Sequence, residues 1–193
     1  MISGISDYEI SIWNNRGDIV ALFETIKYKV IKKDKNIEIR LYEDIYLAST
    51  KTAFNPNQDS GFMNVFNYIS GNNDQEAKIS MTTPVVTYEE DSQLVTGFYV
   101  PSKYKKEAIP KPLEEQVFIN ELKKSYYAVI IFSGRWNKIN FDKQDKILLE
   151  YLKLNHYKTS SKRLILRYQP PFVPAFLRRN EIAYQIESIQ ESL

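Results

Sequence analysis

The sequence predicts an α+β fold: a distorted, barrel-like antiparallel sheet with two main helices packed on it. Three observations carry this. Apolar and polar residues alternate with a period of two in many short runs. Two longer segments, near 61–70 and 140–154, instead space their apolar residues at helical intervals. The order strand, strand, helix, strand, strand also occurs twice, so the chain reads as two pseudo-repeated units that share element order more than letters. Two such units can join their sheets edge to edge, which removes exposed edges. Both helices can then cover the sheet.

Residues 1–25 are expected to form an N-terminal extension ahead of one domain at 26–193. Ile2, Ile5, Ile10, Ile12 and Trp13 are apolar, and Asn14-Asn15-Arg16-Gly17-Asp18 breaks the run as a turn. Ile19 to Phe23 suits a short helix. From Ile26 the alternation is clear. Ile26, Tyr28 and Val30 alternate with Lys27 and Lys29, Asp34-Lys35-Asn36 turns, and Ile37, Ile39 and Leu41 alternate with Glu38 and Arg40. Ile45 to Phe54 is a third, looser run. Asp59 or Ser60 can cap the first helix, whose face is Phe62, Val65, Phe66 and Ile69, and Gly71 ends it.

Ala77 to Thr87 is the organising stretch. Pro84 fixes its own φ and pushes Thr83 toward extended backbone. Met81-Thr82-Thr83-Pro84 is therefore an extended entry into the strand Val85 to Glu90. Met81 is a flexible, polarisable side chain that fills core gaps or lines an adaptable pocket. A turn at Asp91-Ser92 leads into Leu94 to Val100, and Pro101, Pro110 and Pro112 mark a long connection. The second unit follows with strands at Val117 to Leu122 and Tyr127 to Phe132. Asn140 or Asp142 caps a helix to Leu154 with a core face of Ile147, Leu148, Tyr151 and Leu152. Strands at Arg163 to Tyr168 and Glu181 to Glu187 close the chain.

With 193 residues, 43% hydrophobic and 26% charged, the chain can bury a core without staples. The net charge of +2 implies no strong drive toward nucleic acid. The lysines at 103, 105, 106, 123 and 124 read as solvated loops. There are no cysteines, which removes disulfides, thiolate metal sites and cysteine nucleophiles. No secretory leader and no membrane span are apparent, so a cytoplasmic monomer is expected.

The residues carry little catalytic signal. His156 is the only histidine; it lies just past the second helix, where an imidazolium would meet the helix dipole favourably. No Gly-x-Ser-x-Gly, phosphate-binding glycine loop or His-Glu-x-x-His pattern occurs. One histidine and no cysteine make a transition-metal cage improbable. The acidic run Glu89-Glu90-Asp91 sits at a hairpin turn. Binding is the remaining class.

Three stretches in order resemble the SOUL haem-binding protein family: Tyr28 to Tyr42, Lys78-Ile-Ser-Met-Thr-Thr-Pro-Val85, and Tyr168 to Glu181 with Gln-Pro-Pro-Phe-Val-Pro-Ala-Phe-Leu-Arg-Arg-Asn between. The resemblance runs from about Ile26 to Glu187. It implies a distorted antiparallel barrel with two helices, an architecture also seen in effector-binding domains similar to the gyrase-inhibitor family. It also implies haem or another tetrapyrrole held non-covalently, in an apolar cleft beside the first helix. The matching positions here are Met63, Phe66, Asn67 and Ser70, with Met81 nearby and the loop from Phe172 to Phe176 able to close over the cleft. Arg178 and Arg179 are candidates for the ligand's carboxylates, since guanidinium matches carboxylate in a fork. The competing role for either is pairing with Glu181 or a strand carbonyl. Some members carry His after the Arg of the early strand; here Leu41 follows Arg40, so axial ligation from that position is impossible. The expected role is that of a carrier or buffer. The alternatives are an effector module for bulky hydrophobic or cationic molecules, marked by a buried carboxylate in the cleft, and a hydrolase using acids such as Glu121 or Glu181.

Overall fold

A computed structural model describes residues 23–53 and 60–187. The readings for 1–22, for the polar segment 55–59 and for the first helix cap lie outside the described residues. The strands are β1 (Glu24–Thr25), β2 (Tyr28–Asp34), β3 (Ile37–Tyr42), β4 (Ile45–Ala53), β5 (Thr82–Thr83), β6 (Val85–Glu90), β7 (Gln93–Tyr99), β8 (Val117–Leu122), β9 (Ser125–Phe132), β10 (Leu164–Arg167) and β11 (Asn180–Ile186). The helices are α1 (Ser60–Ile69) and α2 (Lys138–Leu154).

Nine strands form one curled antiparallel half-barrel in the order β2-β3-β9-β11-β10-β6-β7-β4-β8. β1 pairs with β5 in a short parallel ribbon. The order is symmetric about the β10–β6 junction: β11 answers β7, β9 answers β4, and β3 answers β8. Both helices follow the same place in their units. The leading strands are exchanged, however. β3, from the first unit, pairs with β9 of the second, and β8, from the second, pairs with β4 of the first.

Local chemistry sets the connections. Asp91 and Ser92 join β6 to β7 with φ of 50° and 62°. A two-residue turn with both central φ positive matches the twist of the flanking strands. α2 begins one turn earlier than the sequence suggests. Its cap is Asn137, whose side chain accepts from the Asn140 backbone N–H at 2.9 Å, while Asn140 bonds the carbonyls of Ser133 and Arg135. At the start of α1, a Cβ on Gly61 would lie 3.0 Å from Thr96 Cβ and 3.1 Å from Thr50 Cγ2. Glycine lets the helix approach β4 and β7 that closely.

Both helices cover the convex side of the sheet. Under α1, Val65, Tyr68 and Ile69 meet Ala48, Phe98, Val100 and Val117. Phe62 is only half-buried and Phe66 is 40% exposed, so the buried face is rotated toward Tyr68. Under α2, Phe141, Leu148 and Leu152 meet Ile37, Ile39, Ala128, Ile130 and Ile182. Ile147, expected on the core face, is 41% exposed, and Phe141, which the helical spacing did not single out, is buried there with Leu148 and Leu152. A third apolar cluster lies on the opposite, concave face, built from Ile26, Tyr42, Leu47, Val86, Tyr127, Val129, Leu166, Tyr168 and Ala183.

Candidate functional site

The concave face carries an open apolar cleft, about 410 Å³ when the space open to solvent is counted. Its walls are Ile26, Tyr42, Ile45, Val86, Leu122, Tyr127, Leu164, Leu166 and Ala183, with Glu43 and Lys123 at the rim. They come from seven strands and the segment before β2. Period two explains the lining: Leu164 and Leu166 on β10, and Tyr127 and Val129 on β9, share this face while their neighbours Ile165 and Ile130 join the α2 side. Ligand pockets are mostly apolar concavities with a few placed polar groups, and the lining of this cleft is of that kind.

Next to it lies a buried polar network. The Arg40 side chain is 0% exposed. Its Nη1 and Nη2 donate to both oxygens of Glu181, at 2.8 and 3.0 Å, and its Nε donates to Glu38 at 2.8 Å. Nη1 also reaches Tyr42 Oη at 3.0 Å. Arg179 Nε donates to Glu181 at 2.9 Å, and Nη2 donates to Tyr28 Oη at 2.9 Å. Tyr168 Oη donates to Glu181 at 3.0 Å, and Lys33 Nζ to Glu38 at 2.9 Å. The rings of Tyr28 and Tyr168 lie 4.0 and 4.3 Å from the guanidinium carbons of Arg40 and Arg179. Every charge taken out of water here is met by an opposite one and by hydrogen bonds, as burial requires.

Electrostatics follow from this packing. Burial pushes the Glu38 carboxyl up, but the bond from Lys33 and the Arg40 guanidinium outweigh it and hold the group below its ordinary 4.5. Burial and the neighbouring Glu181 carboxylate raise the Tyr42 and Tyr168 phenols, which keeps both as neutral donors. A carboxyl with a depressed folded value contributes stability above its unfolded value and loses it as pH falls through the folded one. The urea midpoint should therefore drop as pH falls below about 4.5, the ordinary value, and Glu38→Gln should flatten that part of the curve. An unchanged slope in Glu38→Gln would remove Glu38 from the acid response.

The structure distributes the sequence-derived site residues over four places. Met63, Phe66, Asn67 and Ser70 form one exposed stripe on the outer face of α1, where Phe62 and Phe66 stack at 6.0 Å. Met81 is half-buried and packs under α1 with the Phe98 cluster. Phe172 and Phe176 are 84% and 74% exposed on the proline loop. Arg178 anchors that loop, donating to the Val173 and Pro171 carbonyls and lying 4.6 Å over Trp136. Arg179 is the one that meets Glu181. The concave cleft and Arg40 were missed because Glu38 and Arg40 alternate with isoleucines and look solvent-facing. Their partner Glu181 lies far along the chain, so no spacing announces it.

The chain matches the family model described as SOUL heme-binding protein over residues 23–185. It belongs to that family. Among curated proteins, human Heme-binding protein 2 is 35% identical over 82 residues, and the mouse protein of that name 33% over 82. The match covers 39% of this chain and 40% of each relative, so the chain spans well under half of their length in alignment. Among solved structures, the EcmrR C-terminal domain superposes with a TM-score of 0.59 at 10% identity, covering 84% of this chain and 99% of that one. A hydrolase from Listeria innocua superposes at 0.58 with 7% identity, covering 81% and 94%. At such identities these two share the fold with this SOUL family member and nothing finer. Among the described residues, no helix is long and apolar enough to cross a membrane, and no group of three acidic or histidine side chains is placed to hold a metal ion.

Proposed function

We propose that this SOUL family member binds haem or a related tetrapyrrole non-covalently as cargo, acting as a carrier or buffer. The observation that carries the reading is the apolar cleft on the concave face, beside a buried cationic network. A tetrapyrrole is apolar with carboxylates at one edge, and the cleft offers both surfaces. The cleft is open to solvent along one side, so one edge of the macrocycle would stay in water. The driving force is apolar burial, at roughly 25 cal/mol per Å² removed from water.

Iron ligation by histidine plays no part in this reading. His156 is exposed at the end of α2, on the convex side. Leu41 shares the α2-facing side of β3 with Ile37 and Ile39. Catalysis is also set aside. Lys123 and Lys106 hold the Glu121 carboxyl down to about 2, which makes it a poor base near neutrality. Glu181 is saturated by Arg40, Arg179 and Tyr168.

A second location is favoured by one observation. Met63 and Phe66 are 53% and 40% exposed on α1, the side that the family resemblance marks. Absorbance titration with haem and with metal-free protoporphyrin separates the two. Comparable affinity with and without iron is expected, unchanged in His156→Ala. Leu122→Asp, at the cleft wall, should weaken binding at least tenfold, about 1.4 kcal/mol. Loss of binding in Phe66→Asp with none in Leu122→Asp would move the ligand to α1. No binding of either porphyrin would end the reading.

A further inference from the structure

We propose that the Arg40–Glu181–Arg179 lock makes the concave cleft selective for apolar ligands that carry an anionic group, and closes it to lipophilic cations of the same shape. This rests on the cleft being the ligand site. Its warrant is the adjacency of lock and cleft on three strands. Tyr42 lines the cleft, and Arg40 is the next residue on the same face of β3. Ala183 lines it, and Glu181 is the next on that face of β11. Leu166 lines it, and Tyr168 follows it on the same face beyond the end of β10. Same-face neighbours along a strand are about 7 Å apart. All three steps run toward the same end of the sheet, where Arg40, Tyr168 and Arg179 converge on Glu181.

A buried carboxylate beside an apolar cleft would by itself attract a lipophilic cation. Here it is already claimed. Glu181 is 0% exposed and accepts from two guanidiniums. Within the network, Arg40, Arg179 and Lys33 stand against Glu181 and Glu38, an excess of one cation. Charges beside low-dielectric walls are felt more strongly than the same charges in water. Of the two guanidiniums on Glu181, Arg179 is the one that a ligand can reach: its side chain is 35% exposed and that of Arg40 is 0%. The rim contributes little by comparison. Lys123 pairs with Glu121 at 2.6 Å, and Glu43 with Lys124 at 2.9 Å; both pairs are solvated and screened.

Tetraphenylborate and tetraphenylphosphonium have nearly the same shape and opposite charge. Calorimetric titration of each, with displacement of bound protoporphyrin as a second readout, tests the charge sense directly. The wild type should bind the borate at least tenfold more tightly than the phosphonium. Arg179→Met should bring that ratio close to one or invert it, and Arg179→Lys should retain most of it. If both ions displace protoporphyrin with equal affinity, the selectivity is wrong and the cleft stands. If neither displaces it, the cleft and its selectivity fall together. A native circular dichroism spectrum and an unchanged ratio in Arg179→Met would also overturn the role of the lock. Should that variant fail to fold, the wild-type ratio and Arg179→Lys decide the matter.

Discussion

Arg40→Met should destabilise the protein by about 3–5 kcal/mol, the usual cost of breaking a buried ion pair by removing one partner. The substitution keeps most of the volume and removes the bonds to Glu181, Glu38 and Tyr42. Glu38 keeps Lys33, and Glu181 keeps Arg179 and Tyr168, but both carboxylates then sit against a thioether in place of a guanidinium. Urea unfolding measures the loss. The matching double variant, Arg40→Met with Glu181→Gln, measures the coupling: if the two groups act as a pair, it should lose less than the sum of the two single variants. A loss below about 1 kcal/mol in the single variant would mean that water reaches the network, and that its burial has been overstated.

Phe98→Ala should cost about 3–5 kcal/mol, as for other buried aromatics truncated in a core. Phe98 is 1% exposed on β7, beneath α1, and meets the Phe62 ring edge-on at 5.0 Å. Thermal melting is the measurement. From sequence alone that weight would fall on Phe62, which leads the apolar spacing of the first helix. Phe62 is half-buried at the edge of the cluster, so Phe62→Ala should cost less than Phe98→Ala. The reverse order would return α1 to the orientation that its spacing suggested.

Strands and helices were legible because their apolar periods differ, and because Asp91-Ser92, Lys35-Asn36 and Gly71 punctuate them. The six residues of β6 match their sequence-derived bounds, and β8 does too. Tyr68 was hidden because a tyrosine on a helix flank carries no clear preference; its hydroxyl donates to the Pro110 carbonyl at 2.7 Å from within the core. The cleft was hidden for a different reason. In an antiparallel sheet one face is commonly wet, so alternation in β3 suggested a solvated side. The half-barrel curls that side inward, and Glu38, Arg40 and Tyr42 become a second interior. Curvature is a property of the assembled sheet, and no single strand records it.

The exchange of leading strands between the two units bears on how the chain is made. β3 emerges early from the ribosome, but its neighbour β9 lies some ninety residues later, as the pairing of Ile37 with Ile130 shows. At about 5–20 residues per second, roughly 5–20 s pass before that partner exists. β4 likewise waits for β8, although β7 reaches it sooner. Pairings of such long sequence separation fold slowly. The nascent β2–β3 hairpin, with Ile37 and Ile39 uncovered, is thus the species on which a chaperone would act.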